Sequence, residues 1–305
     1  MEVIIPVKIT SSILTSNITV TETPWSAGTY TLGTRRTVGE LIYEVIATPS
    51  TADSPTGAGE GVNRVPPTWG LVGSINKMAM FDGSIGWGTN GTNGSGAIDI
   101  DVDIAVPRYV DTVIVLNTEG RRVRVVVNNG VSDVYDETKE LKDLSNLTPS
   151  YWAWGFEPIL PRSDLIFSNL PMYIAATVSI TIEGDGAPTF CGAAVIGRSR
   201  TIGETLDEVS GGIEDFSRID RNIFGDYDQV IKRSFSKKRE FNVALPSNSL
   251  MAVEQLLAEL RAEPVVFIGN TENLWTLVYG IYKSFTPVMK TPEHATIAIE
   301  IGGLT

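Results

Sequence analysis

Between Ile98 and Ile104 the chain alternates apolar and acidic residues without a break: Ile98, Ile100, Val102 and Ile104 against Asp99, Asp101 and Asp103. A side-chain period of two puts every second residue on one face of a pleated strand, and no single apolar stripe of a helix can be drawn through it. The signature recurs. Thr112-Val113-Ile114-Val115-Leu116, then Val123, Val125 and Val127, and later Thr177-Val178-Ser179-Ile180-Thr181-Ile182 are β-branched runs. They are separated by Asn128-Asn129-Gly130 and Glu183-Gly184-Asp185-Gly186, residues that adopt tight turns without strain. Short strands cut by turn signals predict a jelly roll or β-sandwich over residues 73–192.

The 305 residues exceed one ordinary sandwich, so boundaries are sought on either side. From Thr48 to Pro67 the chain is dominated by Thr, Ser, Gly and Pro with few large apolar residues, the composition of a long surface loop. Residues 1–72 therefore read as an extended N-terminal arm followed by a small β module, with aromatic-bearing strands at Thr29–Gly33 and Glu40–Ile46. Residues 193–305 are mixed. Leu250, Val253, Leu256, Leu257 and Leu260 recur at helical spacing within Ser247–Ala262, Ser247 or Ser249 can cap the start, and Pro264 stops continuation. Strands are predicted at Phe241–Leu245, Val265–Ile268, Leu274–Tyr279 and Ala295–Ile301. The predicted fold class is mainly β: a small β module, a jelly roll or β-sandwich, and a C-terminal α+β module containing one main helix.

The chemistry-bearing residues are sparse. A formal net charge of −12 opposes specific nucleic-acid binding, because phosphate affinity comes from clustered Lys and Arg. Arg121, Arg122 and Arg124 read as the wet face of a strand, and Lys237, Lys238 and Arg239 as a hairpin turn or strand edge. One cysteine, Cys191, gives no disulfide framework and reads as a buried apolar residue. With only that thiol and His294, no zinc site or nucleophile–histidine pair is expected, and no metal or cofactor is predicted. Asp99, Asp101 and Asp103 offer oxygen ligands for calcium, but strand alternation alone produces the same spacing. The glycine-rich stretch Gly83–Gly96 lacks the Lys-Ser/Thr ending of a phosphate-binding loop. The start lacks the pattern of a secretory signal, and no run approaches about 18 apolar residues, so no transmembrane segment is expected. The chain is not expected to be an enzyme.

Aromatics are the stronger signal. Tyr43 and Trp69 in the first module, and Trp152 and Trp154 alternating within Tyr151-Trp152-Ala153-Trp154-Gly155-Phe156, are candidates for stacking on sugar rings. The alternative is that a small module spends its few large residues on its own core. Asp215 and Arg218, beside Phe216 and Ile219, are candidate assembly residues, since charges in apolar surroundings need partners.

Through Tyr30-Thr31-Leu32-Gly33, Tyr43-Glu44-Val45 and Pro66-Pro67-Thr68-Trp69, the first module resembles the chitin-binding-like or carbohydrate-binding modules of phage virion proteins. It departs from them where Thr34 and Arg36 stand at positions usually held by Asp and Val. Asn76-Lys77-Met78-Ala79-Met80-Phe81-Asp82, Ile98-Asp99-Ile100, Tyr109-Val110-Asp111-Thr112-Val113, Val134-Tyr135-Asp136 and Leu170-Pro171-Met172-Tyr173 are similar to a galactose-binding-like jelly roll of phage tail proteins. Gly211–Arg218, Phe224-Gly225, Val278-Tyr279-Gly280 and Ile299–Leu304 are similar to the same virion proteins. The resemblance implies a structural component of a tailed-bacteriophage tail tip or baseplate, assembled in the bacterial host cytoplasm and residing in the virion tail. It further implies a homo-oligomer in which the C-terminal module forms or decorates a ring, with other tail or baseplate proteins and host surface glycans as partners. A carbohydrate-binding adhesin without a ring-forming role is the alternative, and a cell-envelope glycan hydrolase ranks third.

Overall fold

The computed structural model describes residues 1–91, 98–142, 162–221, 227–271, 273–289 and 291–304. The fold is mainly β with one main helix. Two compact units are present, one formed by Met1–Val7, Val110–Val113 and Val195–Thr305, the other by Lys8–Tyr109 and Ile114–Ala194. The first strand belongs to the C-terminal unit, and the small module lies in the same unit as the jelly-roll region.

In chain order, β1 is Glu2–Pro6, β2 Leu14–Ser16, β3 Tyr30–Thr31, β4 Arg35–Val38, β5 Leu41–Val45, β6 Ser50–Thr51 and β7 Trp69–Ser74. After the short helix α1 (Asn76–Ala79) come β8 Thr89–Asn90, β9 Ile98–Ala105, β10 Thr112–Glu119, β11 Arg122–Asn128 and β12 Asp133–Glu140. They are followed by β13 Leu165–Phe167, β14 Thr177–Glu183, β15 Phe190–Thr201, β16 Glu204–Asp215, β17 Arg218–Arg221, β18 Tyr227–Ile231 and β19 Phe235–Pro246. Helix α2 (Leu250–Glu259), β20 Val265–Ile268, β21 Leu277–Met289 and β22 His294–Gly303 complete the chain.

The larger of the two β layers in the jelly-roll region is a five-stranded sheet ordered β12-β11-β14-β9-β2. Its strands keep the alternation seen in sequence: Val123, Val125 and Val127 pair with Ile182, Ile180 and Val178, which pair with Ile100, Val102 and Ile104, and all nine are buried. Their polar neighbours form the outer ladder. Arg124 makes a two-pronged contact with Asp136 (2.7 and 2.6 Å), and Arg122 reaches Glu183 at 2.8 Å, as a wet strand face requires. In the second layer β10 lies between β13 and β15, with β8 added beside the start of β15. Ile114, Val115 and Leu116 are consecutive yet all buried, the pattern of a strand covered on both sides. Beside these layers, β4-β5-β7 and the pair β3-β6 form the small module around Tyr43, Val45 and Trp69.

In the C-terminal unit the end of β15 leads a sheet through β1, β20, β21, β22 and β19 to the edge strand β16, all neighbours antiparallel. Helix α2 covers one face, setting Val253, Leu257 and Leu260 against a core that includes Phe241, Phe267, Ile297 and Ile299. Each such side chain contributes roughly 1.5–3 kcal/mol by leaving water. The helix begins differently from its expected capping. Ser247–Ser249 form a 3-10 turn, and neither serine caps: Ser247 Oγ donates to the carbonyl of Thr291 and Ser249 Oγ to Asn248 Oδ1. Lys237, Lys238 and Arg239 also differ from expectation, lying inside β19 between β22 and β16 rather than in a turn.

Surface carboxylates set the acid response. Asp53, Asp136, Asp185 and Glu300 are each held below their ordinary range, chiefly by hydrogen bonds from Arg64, Arg124, Lys142 and Lys238 respectively. A folded-state value below the unfolded one stabilises the fold above the unfolded value, about 4, and that contribution is lost as pH falls through the folded values. Asp82 acts in the opposite sense, its carboxyl raised by burial. The urea midpoint is therefore expected to hold level above about pH 5 and to decline below about pH 4; a midpoint that rises on acidification would mean that Asp82-like groups dominate.

Candidate functional site

Tyr43 and Trp69, the aromatics singled out for sugar stacking, are in the core of the small module. Trp69 sits in β7 with no exposed surface and Tyr43 in β5 with 6%. The indole Nε1 of Trp69 donates to the carbonyl of Asp53 at 3.0 Å, and its ring meets Tyr30 edge to face, centroids 5.6 Å apart. Rings closed on both sides cannot stack on a ligand, so the sugar-binding assignment for these two residues is corrected to a packing role. The physical reason is size: three short strands enclose little volume, and their largest side chains fill it. Trp152 and Trp154 lie outside the described residues.

The acidic run is likewise structural. Asp101 Oδ1 accepts from Thr181 Oγ1 at 3.0 Å and Asp103 Oδ1 from Ser179 Oγ at 2.5 Å, while Asp99 is buried against Thr189. Among the described residues no group of three or more His, Cys, Asp or Glu side chains could hold a metal ion. Burial pushes the Cys191 thiol up to about 12, which leaves it protonated and unreactive at neutral pH. His294 opens β22 at the surface, its backbone N–H donating to Thr291 Oγ1. No described helix is long and apolar enough to cross a membrane.

Asp215 and Arg218 lie where the sheet runs out past its core. The ends of β16 and β19 pair through Ile213↔Lys237 and Asp215↔Phe235, and β17 and β18 continue as a separate two-stranded ribbon. The two candidate residues face solvent. Asp215 accepts from the backbone N–H of Ser217 at 2.9 Å, and Ser217 holds its carboxyl below the ordinary range; Arg218 pairs at 3.0 Å with Asp220. They do not need each other to be satisfied. What sequence reasoning missed is the apolar surface around them: Ile213, Phe216, Ile219, Val230, Ile231 and Phe235 are all exposed, from 38% to 70%. Ile219 and Val230 are directly opposed across β17 and β18, a cross-strand apolar pair standing in water. The signal was available as an apolar residue at every third position from Ile213 to Ile219, but only their exposure in the structure shows that no described residue buries them.

Two further features define this end as an interaction surface. β16 is the last strand of its sheet, so one row of its backbone groups has no ladder partner in that sheet. A two-stranded ribbon without a core is at best marginally stable alone. Comparison of the chain with protein-family models, curated proteins and solved structures gave no match.

Proposed function

We propose that this protein is a non-enzymatic structural component of the tail tip or baseplate of a tailed bacteriophage, forming or decorating a ring through its C-terminal unit. The observation that carries the assembly reading is the exposed apolar ribbon of β17 and β18 continuing from the open edge strand β16. An apolar cross-strand pair in water is disfavoured unless another surface covers it. The occupant argued for is a neighbouring copy of the same chain: a patch meeting a different patch on the next copy closes into a ring when the rotation allows. The placement in a phage tail comes from the resemblance of Gly211–Arg218 and Ile299–Leu304 to virion proteins. Other tail or baseplate proteins then meet the ring, and assembly takes place in the bacterial cytoplasm before the virion carries the protein out.

The test is the mass of the full chain in solution by light scattering, together with its position in intact tailed particles by cryo-imaging. The expected result is a discrete closed oligomer and a fixed density at the tail tip. An Ile219→Asp, Val230→Asp double variant is expected to return a monomer with an unchanged circular-dichroism spectrum. A wild-type monomer at high concentration that is missing from particles would overturn the proposal.

A further inference from the structure

We infer that a cleft beside Trp87, which includes none of the candidate sugar-binding or assembly residues named above, is a binding site for a neutral oligosaccharide. The cleft has a volume of about 490 Å³, room for two to three sugar rings, and is distinct from a second cleft of about 660 Å³ beside Trp275; Thr21, Glu22, Ser74, Asn76, Trp87 and Asn90 are among the residues that line it.

Its floor is an aromatic set in place by glycine. The five-membered ring of Trp87 lies so close to Gly73 that a β-carbon there would come within 2.7 Å of Nε1 and 2.8 Å of Cε2. Nε1 donates to the carbonyl of Ser74 at 3.0 Å, which fixes the ring and satisfies its polar edge. The indole nonetheless remains 38% exposed. Trp69, closed on all sides, shows how this chain packs a tryptophan whose task is structural.

The walls supply directed hydrogen bonding. Asn76 is locked to Asn90 twice, its Oδ1 accepting from the Asn90 backbone N–H at 2.8 Å and its Nδ2 donating to the Asn90 carbonyl at 2.9 Å. That amide nitrogen carries a second N–H, as does the Asn90 side chain beyond its own bond to Gly88. The Glu22 carboxylate provides an independent pointer. Among the described residues, two buried side-chain polar atoms have no hydrogen-bond partner, Glu22 Oε2 and Trp25 Nε1, and Glu22 lines this cleft. A buried carboxylate oxygen without a donor is disfavoured, and a ligand hydroxyl supplies the donor.

One partly open indole flanked by amides, hydroxyls and a carboxylate matches a pyranose, with an apolar C–H face and a rim of hydroxyls that both donate and accept. An organic cation would call for a cage of several aromatic faces and few donors, a different lining. The inference supplies a surface for the glycan contact in the tail-tip reading, and rests on that reading only for where the glycan is met.

The experiment is a calorimetric titration of the full chain with neutral trisaccharides of glucose, of galactose and of N-acetylglucosamine, and with tetramethylammonium chloride. At least one trisaccharide is expected to bind with a Kd on the order of 0.1–1 mM. Glu22→Gln should weaken it about tenfold or more, as loss of a charge-assisted hydrogen bond does. Trp87→Ala should abolish it, and Trp87→Phe, which keeps an aromatic face if the alanine variant fails to fold, should weaken it. Trp275→Ala should leave it unchanged. Binding that survives in the Ile219→Asp, Val230→Asp variant separates the cleft from assembly. No saturable binding at about tenfold above that range, binding indifferent to Glu22→Gln and Trp87→Phe, or uptake of the cation in place of every sugar would overturn the inference.

Discussion

Trp69→Ala is expected to remove about 3–5 kcal/mol from the stability of the unit that contains it, the range for emptying the site of a fully buried aromatic. The side chain has no exposed surface, packs with Tyr43, Val45 and Tyr30, and donates to the carbonyl of Asp53. Its loss leaves a cavity and also an unpaired carbonyl, and the surrounding strands are too short to collapse onto the gap: β3 and β6 have two residues each. Since whole domains are stable by only about 5–15 kcal/mol, the small module should lose its fixed structure while the separate core around Phe241 and Ile299 persists. Urea denaturation followed by near-ultraviolet circular dichroism reads both events. Trp69→Phe, which keeps an aromatic ring but gives up the N–H, should cost less than the alanine change. Had Trp69 been a sugar platform, the alanine variant would keep its midpoint and lose only binding; an unchanged midpoint therefore removes the packing assignment.

The sandwich strands were legible because their alternation is itself the cause of the fold. Val123, Val125 and Val127 are buried together because a period of two puts them together, and a one-residue slip would turn all three outward. The helix was legible for the same kind of reason, with Val253, Leu257 and Leu260 on one face. What the sequence withheld were properties set by distant segments. That β1 belongs beside β15 and β20, about 200 and 260 residues away along the chain, follows from pairing free energies that local patterning does not encode. Arg239 looked like part of an exposed basic turn, yet it is buried at 7%, its Nε donating to the Trp275 carbonyl and its guanidinium 4.2 Å from that indole. The exposure of an aromatic is equally non-local: nothing within a few residues of Trp69 or Trp87 distinguishes a core indole from one that floors a cleft.

Asp99→Ala is the second large effect expected, about 2–4 kcal/mol, and its cause is a bulge. Asp99, Asp101 and Asp103 share one phase of the alternation, so all three should face water. The pairing of β9 with β14 slips at one point: Ile182 faces Ile100, but Glu183 faces Ile98, and Asp99 is the extra residue between them. The slip turns Ile98 outward to 50% exposure and Asp99 inward to 1%. There Asp99 Oδ2 accepts from both the backbone N–H (3.0 Å) and the hydroxyl (2.9 Å) of Thr189. Gly91 closes the site, since a β-carbon there would lie 2.4 Å from the same oxygen. Alanine at position 99 leaves two buried donors of Thr189 without their acceptor, which is the expensive half of losing a hydrogen bond. Asp99→Asn keeps an oxygen in place and should cost less than the alanine change, whereas Asp101→Ala, on the wet face, should shift the urea midpoint little. If Asp99→Ala and Asp101→Ala prove equally mild, the carboxylate is not what holds the bulge. If added calcium raises the wild-type midpoint and the Asp101→Ala variant loses that response, the ladder is a cation site and its hydroxyl partners, Thr181 and Ser179, are secondary.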